Sequence, residues 1–427
     1  MPHTQYYLEK HLQRLNISRR QYVCYSADQR DFLWSILGPE LTVTSYSGDN
    51  IKYSENAKHH NIDHNKREYK TDYLLDHFKI TTSDIADNTF KHSEKFKRIG
   101  HLFEYCWQQL LEKTNIPFLT NIPVRDNQKH TLGELDLVLL EDNHCWHIEF
   151  AVKFYLGINI PSSLYECSEQ IPPQTSDQAA TKSLWIGPNQ RDRFDEKLDK
   201  LAQHQLTLSS SKEAQLAIEQ SYIKKYIENE KLEVDSDFAS HKQSIETGKS
   251  NSISNTLKDT SRTISNDISD VLCRDEERFC VSRVSPSPNK IKHKLAIVKG
   301  CLFHPFPKEK TDTVELPSTK HNEINIQVKE DHWCGYWLSI SDAHDHLRSQ
   351  YWSILPKNRW LSPAVVSQAI STEELLMLLD IHFAHIAQPV CIVELSSDID
   401  TATDYFFEKS RWFIVPDDWQ SSYLTRI

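Results

Sequence analysis

The chain lacks three things. None of its nine cysteines (24, 106, 145, 167, 273, 280, 301, 334 and 391) forms a CxxC pair, and several lie inside apolar runs. That excludes a zinc-finger spacing and argues for reduced, packed thiols rather than a disulfide framework. No run approaches the roughly 18–20 apolar residues of a membrane span, and the stretch from Met1 to Arg20 is too polar for a secretory signal. Positive charge is not in excess: 49 Lys and Arg stand against 60 Asp and Glu, a net charge of −11. Any binding of nucleic acid must therefore rest on local basic patches. Glycine and methionine are also sparse, nine and two in 427 residues. With the abundant Asn, Ser, Lys and Ile of the middle of the chain, this reflects genome composition rather than chemistry. The expectation is a soluble, cytoplasmic protein with no membrane partner, long enough to bury a large core in two lobes.

What is present falls into four stretches. Residues 1–90 read as an N-terminal helical region, with Phe32, Leu33, Ile36 and Leu37 at helical spacing in 28–37 and Tyr73, Leu74, Leu75 and Phe78 in 71–78. The intervening 44–70 is polar; His59, His60 and His64 have no acid or cysteine at ligand spacing, so the segment reads as a solvated loop. From 91 to 208 the order is helix, hairpin, strand, helix, an α/β core. Ile99, Leu102, Phe103, Cys106, Trp107 and Leu110 make one apolar stripe, with Gly100 and Glu104 at its edge. A strand at 182–186 is broken by Gly187-Pro188-Asn189. Asp192 is placed to cap the next helix, 193–206, which sets Phe194, Leu198, Leu201 and Gln205 on one face. Residues 209–288 read as a polar, largely disordered insertion with a transient helix at 214–226. From 289 to 427 a C-terminal α/β region packs on the core, with strands at 294–303, 333–340, 351–355 and 390–395 and helices at 371–384 and 401–412. It concentrates Trp333, Trp337, Trp352, Trp360, Trp412 and Trp419, whose first reading is an aromatic core and whose second is a stacking surface for bases.

The stretch Gly133 to Lys153 carries the chemistry. Apolar runs at 135–140 and 145–152 flank Asp142-Asn143, so a hairpin is expected in which paired positions sum to 285. Val138 then faces His147, Asp136 faces Glu149, and Glu134 faces Ala151. Directly opposed side chains lie roughly 4.5–5.5 Å apart, and like charges there repel. Two carboxylates face to face on apolar strands need a cation, a proton or a basic group between them.

The order Gly133-Glu134-Leu135-Asp136, a hairpin, then Glu149 and Lys153 resembles the PD-(D/E)XK nuclease-like superfamily. The segments Trp185-Ile186-Gly187-Pro188-Asn189, Arg191-Asp192, His204-Gln205-Leu206 and Phe150 to Tyr155 are similar to a bacterial family known as domain of unknown function 1853, placed in that superfamily. The resemblance covers 91–208 well and 290–420 more loosely. It implies an αβββαβ core with a central mixed sheet flanked by helices. It also implies acids on the second and third strands (Asp136 and Glu149), a lysine on the third (Lys153) and a glutamate from the preceding helix (Glu104). The superfamily's usual acid-x-lysine spacing would put the lysine at 151, where this chain has Ala151. Lys153 shares the strand face of Glu149 but lies about 13 Å along it rather than about 7 Å. A bulge, or a lysine elsewhere such as Lys182 or Lys197, would have to close that gap.

The implied function is metal-dependent hydrolysis of phosphodiester bonds in DNA, as an endo- or exodeoxyribonuclease. Asp136, Glu149 and Glu104 would hold Mg²⁺ or Mn²⁺, Lys153 would act on the attacking water, and Arg191 or Gln205 would contact phosphate oxygens. His147, on the face of Glu149, is an auxiliary ligand or base, or a hydrogen-bonded half-buried histidine. Lys91, Lys95, Lys97 and Arg98 form the best local basic patch. The competing reading is a catalytically inactive nuclease-like scaffold serving as a nucleic-acid or protein-interaction module.

Overall fold

The computed structural model describes residues 4–46, 70–86, 90, 96–141, 144–161, 181–228, 291–307, 314–397 and 405–426. The His59, His60 and His64 segment, Lys91 and Lys95, and the part of the polar insertion from 229 to 288 lie outside the described residues.

Ser26 caps one helix of the N-terminal region, exchanging hydrogen bonds with Gln29 in a capping box. The helices of this region are α1 (Thr4–Leu15), α2 (Arg19–Tyr22), α3 (Ala27–Leu37), α4 (Lys70–His77) and α5 (Thr82–Ala86), followed by α6 (Ile99–Lys113). Between α3 and α4 lies the strand β1 (Thr42–Tyr46), and after α6 come β2 (Phe118–Arg125), β3 (Thr131–Leu140), β4 (Cys145–Pro161) and β5 (Thr181–Ile186). Helix α7 starts at Phe194–Lys200 and runs on through a π-helical turn, Leu201–Gln205, into a last turn, Leu206–Leu208. Next are α8 (Lys212–Tyr222), β6 (Ile291–Pro305), β7 (Ser318–His321), β8 (Ile324–Val328), β9 (Cys334–Ser339), α9 (Ile340–His346), β10 (Trp352–Ile354) and β11 (Val365–Val366). The chain closes with α10 (Thr372–His385), β12 (Val390–Ser397), β13 (Phe406–Val415) and α11 (Trp419–Leu424).

Ten strands form one mixed sheet in the order β10-β12-β13-β9-β6-β4-β3-β2, with β5 joined to β4 and β11 to β13. Its centre, β13-β9-β6-β4, is parallel, and both flanks are antiparallel. Parallel strands covered on both faces read as continuous apolar runs, and β6 is buried from Leu295 to His304. One face of the sheet packs against α3 and α6; the other packs against α7 and a small sheet of β1, β8 and β7. The protein is therefore mixed α/β, a large central mixed sheet flanked by helices. Among the described residues, no helix is long and apolar enough to cross a membrane.

Two expectations need correction. Residues 401–412 were expected to be a helix, yet 406–415 form β13, a central strand between β12 and β9. A short apolar run buried on both faces has no period of two, and periodicity alone cannot separate it from a buried helix. The polar stretch also begins later than position 209: Ser211 caps α8, which buries Ala214 and Ile218 against Leu119, Ile122 and Val124 of β2. The six C-terminal tryptophans are all core residues, each at most 9 % exposed. Of the six described cysteines, all free, only Cys24 is exposed.

Helix α1 and strand β13, remote in sequence, meet at a buried ion pair. Arg411 on β13 bonds Glu408 at 2.7 Å with both side chains fully buried, and its guanidinium also donates to the carbonyls of Trp360 and Ser362. Glu408 accepts from the Thr4 hydroxyl and the Ala364 backbone N–H, and Trp333 lies 4.5 Å beneath the guanidinium. Every nitrogen of the guanidinium and both oxygens of the carboxylate find a partner, the condition under which a buried ion pair is tolerated.

Gly300, opposite Lys153 in the β4–β6 ladder, has a φ of +129°, and a Cβ there would lie 1.8 Å from the Lys153 carbonyl oxygen. Gly300→Ala is expected to destabilise the protein by about 3 kcal/mol or more. Gly100→Ala, inside α6 with nothing within 4 Å of the new methyl, should stabilise by about 0.5–1 kcal/mol. Urea unfolding of the two variants measures both effects; equal midpoints would contradict the strain assigned to Gly300.

Candidate functional site

The β3–β4 pairing has the expected register. Leu137, Val138, Leu139 and Leu140 face Ile148, His147, Trp146 and Cys145, each pair summing to 285. The ladder stops there. Below Leu137, β3 stays with β2, where Glu134 faces Pro123, while β4 continues along β6. The 136/149 and 134/151 oppositions are thus the next steps of the register beyond the last paired residues. Farther on, Leu156–Pro161 of β4 take β5 on the edge that β3 has left. Residues 149–155 have no ladder partner on that edge, and the sheet forks.

A carboxylate fills the fork. Oδ2 of Asp136 accepts the backbone N–H of Phe150 at 2.8 Å, replacing the ladder bond that β3 no longer supplies. Glu149 is completely buried beside it, and both of its oxygens are engaged. Oε1 contacts His147 Nε2 at 2.7 Å, and Oε2 accepts from Gln205 Nε2 at 2.5 Å. Gln205 Oε1 in turn accepts from Lys197 Nζ at 2.7 Å. The π turn of α7 ends at Gln205, and such turns recur where a helix must re-aim a side chain. Glu104 approaches from α6, whose Phe103 and Trp107 pack on the Phe150 ring.

Burial and crowding raise all three acids. The Glu104 carboxyl is pushed up to about 7, first by burial and then by the charges of Asp136, Glu134 and Glu149. Asp136 is also raised to about 7 by burial and then by Glu149, against the pull of the Phe150 N–H and Lys197. Burial likewise lifts Glu149 to about 7, opposed by Lys197 and by hydrogen bonds from Asp136. Two carboxyls in hydrogen-bond contact must share a proton, consistent with both titrating so high. Lys197 is lowered to about 8 by burial and by the Lys153 ammonium, while Glu149 and Asp136 draw it back up. Burial holds His147 neutral, near 3. Its Nε2 then donates to Glu149, and its buried Nδ1 has no hydrogen-bond partner.

The sequence-derived residues do not all meet. Asp136, Glu149, Glu104, His147 and Gln205 come together. Lys153 turns elsewhere: its Nζ bonds Asp192 Oδ2 at 3.0 Å, the same oxygen that accepts from the Tyr155 hydroxyl. Asp192 was expected to cap α7, but the N-cap position is Arg193, with no side-chain cap. Asp192 is held against Gly187 instead, where a Cβ would meet its Oδ1 at 2.2 Å, and it serves as the anion for Lys153. Arg191 is exposed in the same loop, and Lys97 and Arg98 are exposed ahead of α6. Gln205, expected on a phosphate, bridges Glu149 to Lys197. Lys197 is therefore the cation of the cluster. Its sequence signal was its place on α7 between Phe194 and Leu198, at the margin of the apolar stripe. Among the described residues, no group of three or more His, Cys, Asp or Glu side chains is disposed to hold a metal ion.

No curated protein and no solved structure matches the chain. The model of the family described as Domain of unknown function (DUF1853) matches residues 30–235 and 272–415. The gap between the two matched segments falls in the polar insertion. With the match covering most of its length, the chain belongs to the DUF1853 family.

Proposed function

We propose that the fork in β4 is the active site of a metal-dependent nuclease of PD-(D/E)XK type, hydrolysing phosphodiester bonds in DNA. The order α6, β2, β3, β4, β5, α7, α8, β6 contains the α, β, β, β, α, β succession of the superfamily's core, with β5 and α8 as additions, and supports that reading. The carrying observation is the convergence of Glu104, Asp136 and Glu149, from three separate elements, on the one point where the sheet parts.

The donor set fits Mg²⁺ or Mn²⁺. Its ligands are hard oxygens, and a cation would offset both the burial that disfavours their ionised forms and the repulsion among them. Mg²⁺ takes only one or two protein carboxylates and completes its shell with water and substrate, so the Asp136–Glu149 pair suffices without a three-residue cage. When bound, the ion would polarise a phosphate and acidify a water. The chain's own residues do the rest. Gln205 fixes one oxygen of Glu149, and His147 fixes the other. Lys197, close to neutral titration, can hold a proton beside the phosphate or exchange it with a water. In this reading Lys197, rather than Lys153, is the lysine of the site.

One observation favours the competing reading of a non-catalytic interaction module. Both oxygens of Glu149 are already engaged by His147 and Gln205, and Lys153 is already neutralised by Asp192, so these groups are satisfied without a substrate.

Metal titration and activity separate the two. Mg²⁺ or Mn²⁺ should raise the melting temperature by roughly 2 °C or more, and Asp136→Ala should abolish the rise. Metal-dependent cutting of single- or double-stranded DNA should vanish in Glu149→Ala. Lys197→Met should slow it by roughly 100-fold and Lys153→Met by much less. Binding of DNA without cutting, unaltered in Glu149→Ala, would establish the module.

Stability should also depend on pH. The folded values near 7 stand above the ordinary 3.8 and 4.5, so the unfolded chain releases these protons first as pH rises. Metal-free protein therefore loses stability from about pH 4 to just above pH 7. The loss should be smaller in Asp136→Asn, and added Mg²⁺ should offset more of it at pH 8 than at pH 6. Scanning fluorimetry in buffers across that range checks both.

A further inference from the structure

Helix α10 is apolar on two sides. Ser371 caps it, and Leu375 and Leu379, fully buried, face Leu338, Ile392 and Trp412 of the sheet. The opposite side is open: Met377 is 54 % exposed, Leu378 37 % and Ile381 56 %. Amphipathic surface helices keep polar residues on that side. Glu374, Met377, Leu378, Ile381 and His385 follow the spacing i, i+3, i+4, i+7, i+11, so the open side is a continuous stripe with an acid at its start and a histidine at its end. A cavity of about 450 Å³ opens beside it, walled by Leu378, Leu379 and His382 of α10 and by Leu355, Trp360 and Val390.

From this pattern we propose that the α10 stripe is a homodimer interface in which a second copy of the chain lies antiparallel across a two-fold axis. The stripe is its own complement. About an axis through the middle of the helix, facing positions sum to 759: Glu374 meets His385 of the second copy, Leu378 meets Ile381, and Met377 meets His382. The acidic first turn (Glu373 and Glu374) then lies against the histidine-bearing last turn (His382 and His385) of the other helix, and the two helix dipoles oppose one another. Met377 of each copy is directed at the cavity beside His382 of the other, and the unbranched thioether suits an irregular pocket. A two-fold interface needs such self-complementarity, and two-fold dimers are the commonest oligomers. A partner of unrelated sequence would have no reason to match both the apolar centre and the reversed order of acid and histidine along one helix.

The test is sedimentation of the full-length protein from roughly 1 to 100 µM. The wild-type chain should sediment as a dimer. Since a two-fold interface meets every substitution twice, Ile381→Glu should raise the dissociation constant roughly 100-fold while circular dichroism and melting temperature stay as in the wild type. Glu374→Lys should weaken the dimer, and Glu374→Lys combined with His385→Glu should restore it. The charge swap keeps the test decisive even if Ile381→Glu folds poorly. A wild-type monomer throughout the range, or a dimer indifferent to the charge swap, would overturn the proposal and leave the stripe to an occupant of other chemistry.

Discussion

The geometry of the site depends on one constraint: a single edge of β4 is claimed by two strands and satisfied by neither along its middle. β3 holds the first residues of that edge and β5 the last. An exposed strand edge is ordinarily a liability, and a backbone N–H without a partner is costly once buried. Here the Asp136 carboxylate takes the first orphaned N–H, at Phe150. That substitution draws an acid into the interior of the sheet. Burial of Asp136, its contact with Glu149 and the approach of Glu104 from α6 all follow from the place where β3 peels away.

The opposite faces of β4 divide the labour. Phe150, Val152 and Phe154 belong to the core that carries α6, whereas Ala151 and Tyr155 belong to the core that carries α7. Alternation along one strand therefore fastens two helices, one on each side of the sheet. Glu104 comes from the first and the Lys197–Gln205 pair from the second. Gly300 keeps the neighbouring strand close enough for this. A side chain there would push β6 away from the segment of β4 that bears the acids.

Much of this was legible in the sequence, and the reasons are local. The hairpin register followed from two apolar runs and a polar turn, and α6 followed from one uninterrupted stripe. Asp136 and Glu149 stood out because carboxylates are conspicuous on apolar strands. Other features depended on partners remote in sequence. No spacing rule shows that Lys153 would find Asp192, 39 positions on, or that a π turn would bring Gln205 to Glu149. β13 was misread because a strand buried between two others shows no alternation, and its polar residues look out of place until the side-chain network around Arg411 is known. The small sheet of β1, β7 and β8 pairs segments nearly 300 positions apart, and neither β1 nor β8 signals the other.

The position of β13 has a consequence for synthesis of the protein. Among the described strands it is the last in sequence, yet it lies inside the sheet, between β12 and β9. Until residues 406–415 leave the ribosome, β10 and β12 cannot join the remainder of the sheet. β9 meanwhile presents an unpaired apolar edge. Thr4, which completes the Glu408 network across 404 positions, must wait as long. Closing a contact between α1 and β13 is entropically late. From the completion of β9 to that of β13 the nascent chain would therefore carry an open sheet edge, a window in which chaperone binding or mispairing competes with folding.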